Sequence, residues 1–210
     1  MIEKRVLSDA GEVDPLLSEM ELDRANLIDI VRYADAQRSL CTSNDVRGFD
    51  LITAHDKAAR GLREAFCGRR WEKDETDNQA GIRNPARQIR IIHCNFDEYA
   101  GQLGREPTNR HGKGSASKAK AACNQTGWLP GLLMPEPVAA DYVTWLLGIY
   151  AEDDYLGAEL SLPLNFEGGQ FKKLVTRILL IGPHDPLGSG VSKPVIEGPV
   201  EIVDISVERK

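Results

Sequence analysis

The segment best suited to bind a ligand runs Arg105-Glu106-Pro107-Thr108-Asn109-Arg110-His111-Gly112-Lys113-Gly114-Ser115-Ala116-Ser117-Lys118. Gly112 and Gly114 allow a backbone to approach a ligand closely. A helix is expected from Ser115 to Gln125, with Ser115 as its cap. The start of a helix presents unbonded N–H groups and the positive end of a dipole, which suits a phosphate. Arg110, His111, Lys113 and Lys118 would add charge, and Arg83, Arg87 and Arg90 precede them in the same basic stretch. The pattern is not a nucleotide-binding P-loop, because Lys113 is followed by glycine rather than Ser or Thr. The plainer reading is a charged, solvated connector.

Three other clusters are weaker. Glu152, Asp153, Asp154 and Glu159, with Lys172 and Lys173 later, offer the carboxylates and lysines that a metal-dependent nuclease needs. Glu159 is followed by Leu160 and Ser161, so the Glu-x-Lys element is missing, and an acidic hairpin turn explains the group as well. His93 and Cys94 are adjacent on an expected strand, where neighbouring side chains point to opposite faces. His93 therefore cannot activate Cys94, and His55 or His111 would have to come near in space. His184-Asp185 reads as turn chemistry. Trp128, Tyr142, Trp145, Tyr150 and Tyr155 could stack on bases or anchor a partner, although core packing is their commoner use.

Charge sets these clusters in context. The net charge is −6, yet residues 60–120 carry +5 between flanks of −5 and −6. A basic face that neutralises phosphates could come from that middle zone, while the acidic flanks oppose long tracking along nucleic acid. A basic zone can equally meet an acidic zone inside the fold or in a dimer. The four cysteines are 26 to 29 residues apart with no CxxC pair, which argues against a zinc finger or ribbon and for buried thiols in a reducing compartment. No metal or cofactor is implied. No apolar window reaches the ~18 residues of a membrane span, and the N-terminus lacks the apolar core of a signal peptide, so a cytoplasmic setting without membrane contact is expected.

The elements that must position these residues are legible in outline. With 210 residues, 41% of them hydrophobic, the chain is expected to form a single domain, helical to about residue 71, with a mobile loop over about 72–88 and a mixed, mainly β part to residue 210. Asp14-Pro15 predicts the start of a helix running to about Leu40. A second helix is predicted from Phe49 to Cys67, closed by Gly68. Gln88 to Phe96 reads as a strand, and Asp97 to Leu103 as one helical turn. Residues 138–150 carry both signals: Pro137 suits a helix start, whereas Tyr142, Val143, Thr144 and Trp145 favour a strand. The turn-like run Ala151 to Asp154 tips the balance to strand. Leu156, Ala158, Leu160, Leu162, Leu164 and Phe166 alternate as a strand. Gly168-Gly169 then turns into a third strand, Phe171 to Ile181. A Gly/Pro-punctuated connection over 127–137, a loop over 182–198 and a strand over 200–207 complete the expectation.

Helices first and strands later predict an α+β fold, an N-terminal helical hairpin packed on a mainly antiparallel C-terminal sheet. The expected function is binding of a phosphate-bearing ligand, nucleic acid or nucleotide, through the basic glycine-containing loop. The alternatives are a protein-interaction or homo-oligomeric assembly subunit without catalysis, and a metal-dependent hydrolase.

Overall fold

In the computed structural model, residues 4–68, 70–127, 142–152 and 155–183 are described. A short strand β1 (Arg5–Leu7) leads into α1 (Ala10–Glu19), α2 (Arg24–Ser39) and α3 (Phe49–Phe66). Then come β2 (Glu72–Asp74), a 3-10 turn (Thr76–Asn78), β3 (Gly81–Asn84), β4 (Ile89–Asn95), α4 (Ser115–Gly127), β5 (Val143–Glu152), β6 (Tyr155–Glu167) and β7 (Gln170–Ile181). The strands form one seven-stranded sheet in the order β1-β7-β6-β5-β4-β3-β2.

The fold is α+β, and α2 and α3 pack together on the sheet as a helical pair. The sheet is mixed: four of its six pairings are antiparallel and two are parallel. β4 lies parallel to β5, and β1 parallel to β7. Parallel neighbours need a crossover connection, and α4 lies within the segment that joins β4 to β5.

The single helix expected from Pro15 to Leu40 is two helices. Asp9 caps α1 by accepting from the Gly11 amide, so Pro15 lies inside α1 rather than at its start. Glu21 then takes a left-handed φ of 62°. Asp23 restarts the chain as the cap of α2, accepting from the Asn26 amide at 2.9 Å. Met20 and Leu22 are both buried across the break, so helical spacing persists through a corner that spacing alone cannot detect.

The segment expected as a mobile loop is instead the edge of the sheet. Glu72 to Asp74 pair with Gly81 to Arg83, and Gly81 to Asn84 pair with Ile89 to Ile92. Its polar residues are used inside the protein. Asp74 is buried and accepts from the amide and hydroxyl of Thr76 and from Arg90. Asp77 pairs with the buried Lys120 of α4 at 2.9 Å. Residues 97–103 form turns without a helix. The connection beyond Gly127, residues 184–198, the strand expected over 200–207, and Trp128, Asp153, Asp154 and the His184-Asp185 pair lie outside the described residues.

Both faces of the sheet are covered, and the two faces differ in character. On one side Leu147, Leu160, Ile178 and Leu180 meet α2 and α3 in a large apolar core with Leu27, Ile30, Val31, Ala58 and Leu62. On the other, Ile92, Cys94, Leu146, Phe171 and Leu174 pack with Ala121 of α4. That second face also carries a charged pair. Glu159 and Arg177 are 0% and 2% exposed. Glu159 accepts from the Gly101 amide and from Ser161, while Arg177 donates to the carbonyls of Arg105 and Gln102. The pair thereby fastens the segment leading to the basic loop onto β6 and β7. Pro163 sits in β6 beside a register shift, where the missing N–H does not interrupt a regular ladder.

Candidate functional site

The basic loop is anchored rather than loosely solvated. Asn109 is buried and works as its spine. Its side-chain amide donates to the carbonyls of His111 (2.6 Å) and Gly169 (3.0 Å), and its oxygen accepts from the Phe171 amide at 2.9 Å. The Arg110 amide donates to Asn95 at the end of β4, and the Lys113 amide donates to Gly169, both at 2.9 Å. Gly169 has a φ of 78°, and a methyl there would lie 3.3 Å from Gly112, so the turn between β6 and β7 needs glycine for its conformation.

Helix α4 begins at Ser115, as predicted. Ser115 is its first residue rather than its cap. The carbonyl of Gly114 accepts from the amides of Ser117 (3.2 Å) and Lys118 (3.4 Å), which places Gly114 at the cap position. Glycine has no side chain to bond the next amides, and those of Ser115 and Ala116 have no partner among the described residues. A Cβ built on Gly112 or Gly114 meets nothing within 4 Å. The packing of the protein itself does not require these two glycines, and the space above them is open.

The predicted cations separate into two groups. Arg83 pairs with Glu72 at 3.3 Å, and Arg87 with Glu21 at 3.5 Å. Arg90 pairs with Asp74 inside the protein. Arg83 and Arg90 also lie over the Tyr142 ring. Arg90 is five residues from Asn95, ~16 Å along a strand, so the three arginines sit at the far end of β4 from the loop. Arg110 pairs with Glu152 at 3.2 Å and covers the Tyr150 ring. His111, Lys113 and Lys118 have no carboxylate partner among the described residues.

Behind Lys113 lies a recess of about 30 Å³, lined by Gln79, His93, Lys113 and Ser117 among others. It exists because β3 begins at Gly81, opposite Ile92, while β4 continues through His93 and Cys94 without a strand on that side. His93, 2% exposed, meets His55 of α3 through their Nδ1 atoms at 3.0 Å. One of those nitrogens must donate and the other accept. The His93 Nε2 and the Gln79 Oε1 are buried and have no partner among the described residues, although the Gln79 amide nitrogen donates to Ser117 at 2.9 Å. His55 and Ala80 also line an open groove of about 600 Å³ between α3 and the β2–β3 edge. His55 and Ala80 thus lie between the groove and the recess.

The surroundings keep these groups uncharged. Burial pushes His93 well below the ordinary histidine value, and the charges of His55 and Lys113 push the same way. Burial also lowers His55, helped by Lys113 and opposed by Asp56. Burial raises the Cys94 thiol to about 12, against a small opposing effect of Lys113. Cys94 therefore carries its proton and is a poor nucleophile. His55 does approach His93, a meeting that sequence spacing leaves open.

Several described members of the other clusters serve the fold. Glu159 is fully engaged by Arg177, Ser161 and Gly101. Among the described residues, no group of three or more His, Cys, Asp or Glu is placed to hold a metal ion. Trp145 is 8% exposed, and Tyr155 donates its hydroxyl to the Ala100 carbonyl. The large apolar side chains that do face outward include Leu40, Val46, Phe49 and Ile52, around the junction of α2 and α3. No described helix is long and apolar enough to cross a membrane. Comparisons with protein-family models, with curated proteins and with solved structures give no match to this chain.

Proposed function

We propose that the chain binds a phosphate-bearing ligand at the entrance to α4. The observation that carries this reading is the contrast among the cations. Arg83, Arg87, Arg90 and Arg110 each have a carboxylate partner, whereas Lys113 and Lys118 flank an uncapped helix start with none among the described residues. Helix amides beside open space, with two lysines in and just before the first turns, favour an anion. Gly112 and Gly114 leave room for a ligand to reach the backbone, and His111 stands exposed beside them. Arg83, Arg87 and Arg90 serve the fold in this reading rather than the ligand.

The test is titration of the protein with inorganic phosphate and with phosphate esters, followed by amide NMR shifts at Lys113 to Lys118. Lys113→Ala is expected to weaken binding about tenfold, equivalent to ~1.4 kcal/mol. Lys118→Ala should weaken it less, because an exposed ammonium is well screened. Raising the salt concentration should weaken binding in the wild type and less so in the double variant. Shifts that appear elsewhere, or binding indifferent to both lysines, would remove the proposal.

A further inference from the structure

Resting on the reading of α4 as a phosphate site, we propose that the phosphate is a terminal one. One of its oxygens, carrying a proton, enters the recess between His93 and Gln79, so the ligand is a phosphomonoester such as a mononucleotide rather than a nucleic-acid backbone.

The first support is the distribution of charge. A nucleic-acid backbone is held by a track of cations along successive phosphates. Here Arg83, Arg87, Arg90 and Arg110 are paired with Glu72, Glu21, Asp74 and Glu152, and Arg105 lies on the Tyr99 ring and donates to its hydroxyl. At the entrance to α4, Lys113 and Lys118 have no carboxylate partner among the described residues; they are five residues apart and serve a single phosphate.

The second support is the recess. Its volume of about 30 Å³ exceeds the ~10–15 Å³ that one water-sized probe needs, and so has room for a phosphate oxygen. Two of its lining residues carry buried atoms without partners, the His93 Nε2 and the Gln79 Oε1. When the His55 Nδ1 donates to the His93 Nδ1, the proton of His93 sits on Nε2 and that atom is a donor. Gln79, with its nitrogen engaged by Ser117, contributes an acceptor. A P–OH oxygen accepts from the first and donates to the second. A bare phosphate oxygen would face the lone pairs of Gln79 instead. Terminal phosphates take up a proton with a pKa of about 6, whereas a phosphodiester has no such oxygen near neutral pH.

The ionisable groups around the recess are His55 of α3 with Asp56 beside it, His93 and Cys94 of β4, and Lys113 of the loop. Both histidines are held neutral at pH 7, so the proton that matters belongs to the ligand. Lys113, which also lines the recess, is the charge that holds the rest of the phosphate.

Calorimetric titration of the full chain with methyl phosphate, dimethyl phosphate and a thymidine oligonucleotide lacking terminal phosphates tests this. Methyl phosphate is expected to bind at least tenfold more tightly than dimethyl phosphate at pH 6, and its affinity should fall towards tenfold per pH unit above pH 7. Gln79→Leu, at a half-buried position outside the strands, should flatten that pH dependence while leaving the dependence on Lys113 intact. His93→Phe, which fills the recess, should abolish the preference for the monoester. Equal affinity for both esters with no pH dependence, or tighter binding of the oligonucleotide, would overturn the inference while leaving a phosphate site in place. Failure of all three probes to bind would remove the phosphate site itself.

Discussion

Replacing Arg177 by methionine should bring the protein close to unfolding. Arg177 donates from Nε to Glu159 at 2.8 Å, from Nη1 to the Arg105 carbonyl at 2.7 Å and from Nη2 to the Gln102 carbonyl at 3.0 Å. Methionine fills similar volume but leaves the Glu159 charge buried without a counter-charge, which costs about 3–5 kcal/mol. Two carbonyls also lose a donor. Total stability of a domain this size is typically about 5–15 kcal/mol, so the single change removes a large share. Glu159→Leu should cost a similar amount. The double variant should cost clearly less than the two together, because no charge is then stranded. It should not return to wild type, since the Gly101 amide and Ser161 still lose their acceptor. Urea unfolding followed by the fluorescence of the buried Trp71 and Trp145 measures all three. A single-variant loss below about 1 kcal/mol, or strictly additive losses, would show that Glu159 and Arg177 do not form a desolvated pair. The 101–106 segment would then need another anchor.

Three further outcomes follow from the same kind of accounting. Asn109→Ala strands the Phe171 amide, at about 1–3 kcal/mol for a buried group left unsatisfied, and removes one of two donors to the Gly169 carbonyl; hydrogen exchange at the Lys113 amide should quicken with it. Gly148→Ala drives a methyl to 2.1 Å from the ring of the buried Phe96, an overpacking cost of about 1–3 kcal/mol that a second change, Phe96→Leu, should partly relieve in thermal unfolding. The histidine pair sets a pH dependence. Both pKa values are depressed by folding, so the unfolded chain binds more protons below its value of 6.5. Their stabilising effect is therefore complete above pH 6.5 and is lost as pH falls, by up to about 1.4 kcal/mol per pH unit for each histidine. His93→Gln should reduce that slope between pH 6.5 and 5, and an unchanged slope would mean that His93 is not held neutral.

Much of the fold could be read from local pattern. Phe49 to Phe66 forms a helix because its apolar residues recur at helical spacing, and β6 is a strand because its alternate positions from Leu156 to Leu164 are apolar. The Gly168-Gly169 turn and the start of α4 at Ser115 are set within a few residues of chain, where glycine conformations and the first helical bonds decide the outcome. Such features depend on neighbours in sequence and survive any tertiary arrangement. The site was legible only to the same degree: the loop and its helix could be named, but its cap proved to be Gly114.

What the tertiary structure alone decided involves partners distant in sequence. Residues 72–84 look like a polar loop until Arg90 and Lys120 neutralise Asp74 and Asp77, and until β4 offers a ladder to β3. The +5 of residues 60–120 looks like a binding face until Glu21, Glu72, Asp74 and Glu152 draw four arginines into ion pairs. The recess needs a histidine from α3, another from β4 and a lysine from the loop, which are 38 and 20 residues apart in turn. No local rule joins them. They meet because β3 stops one residue short of His93, a consequence of strand register, and register is set by which side chains the whole sheet can bury.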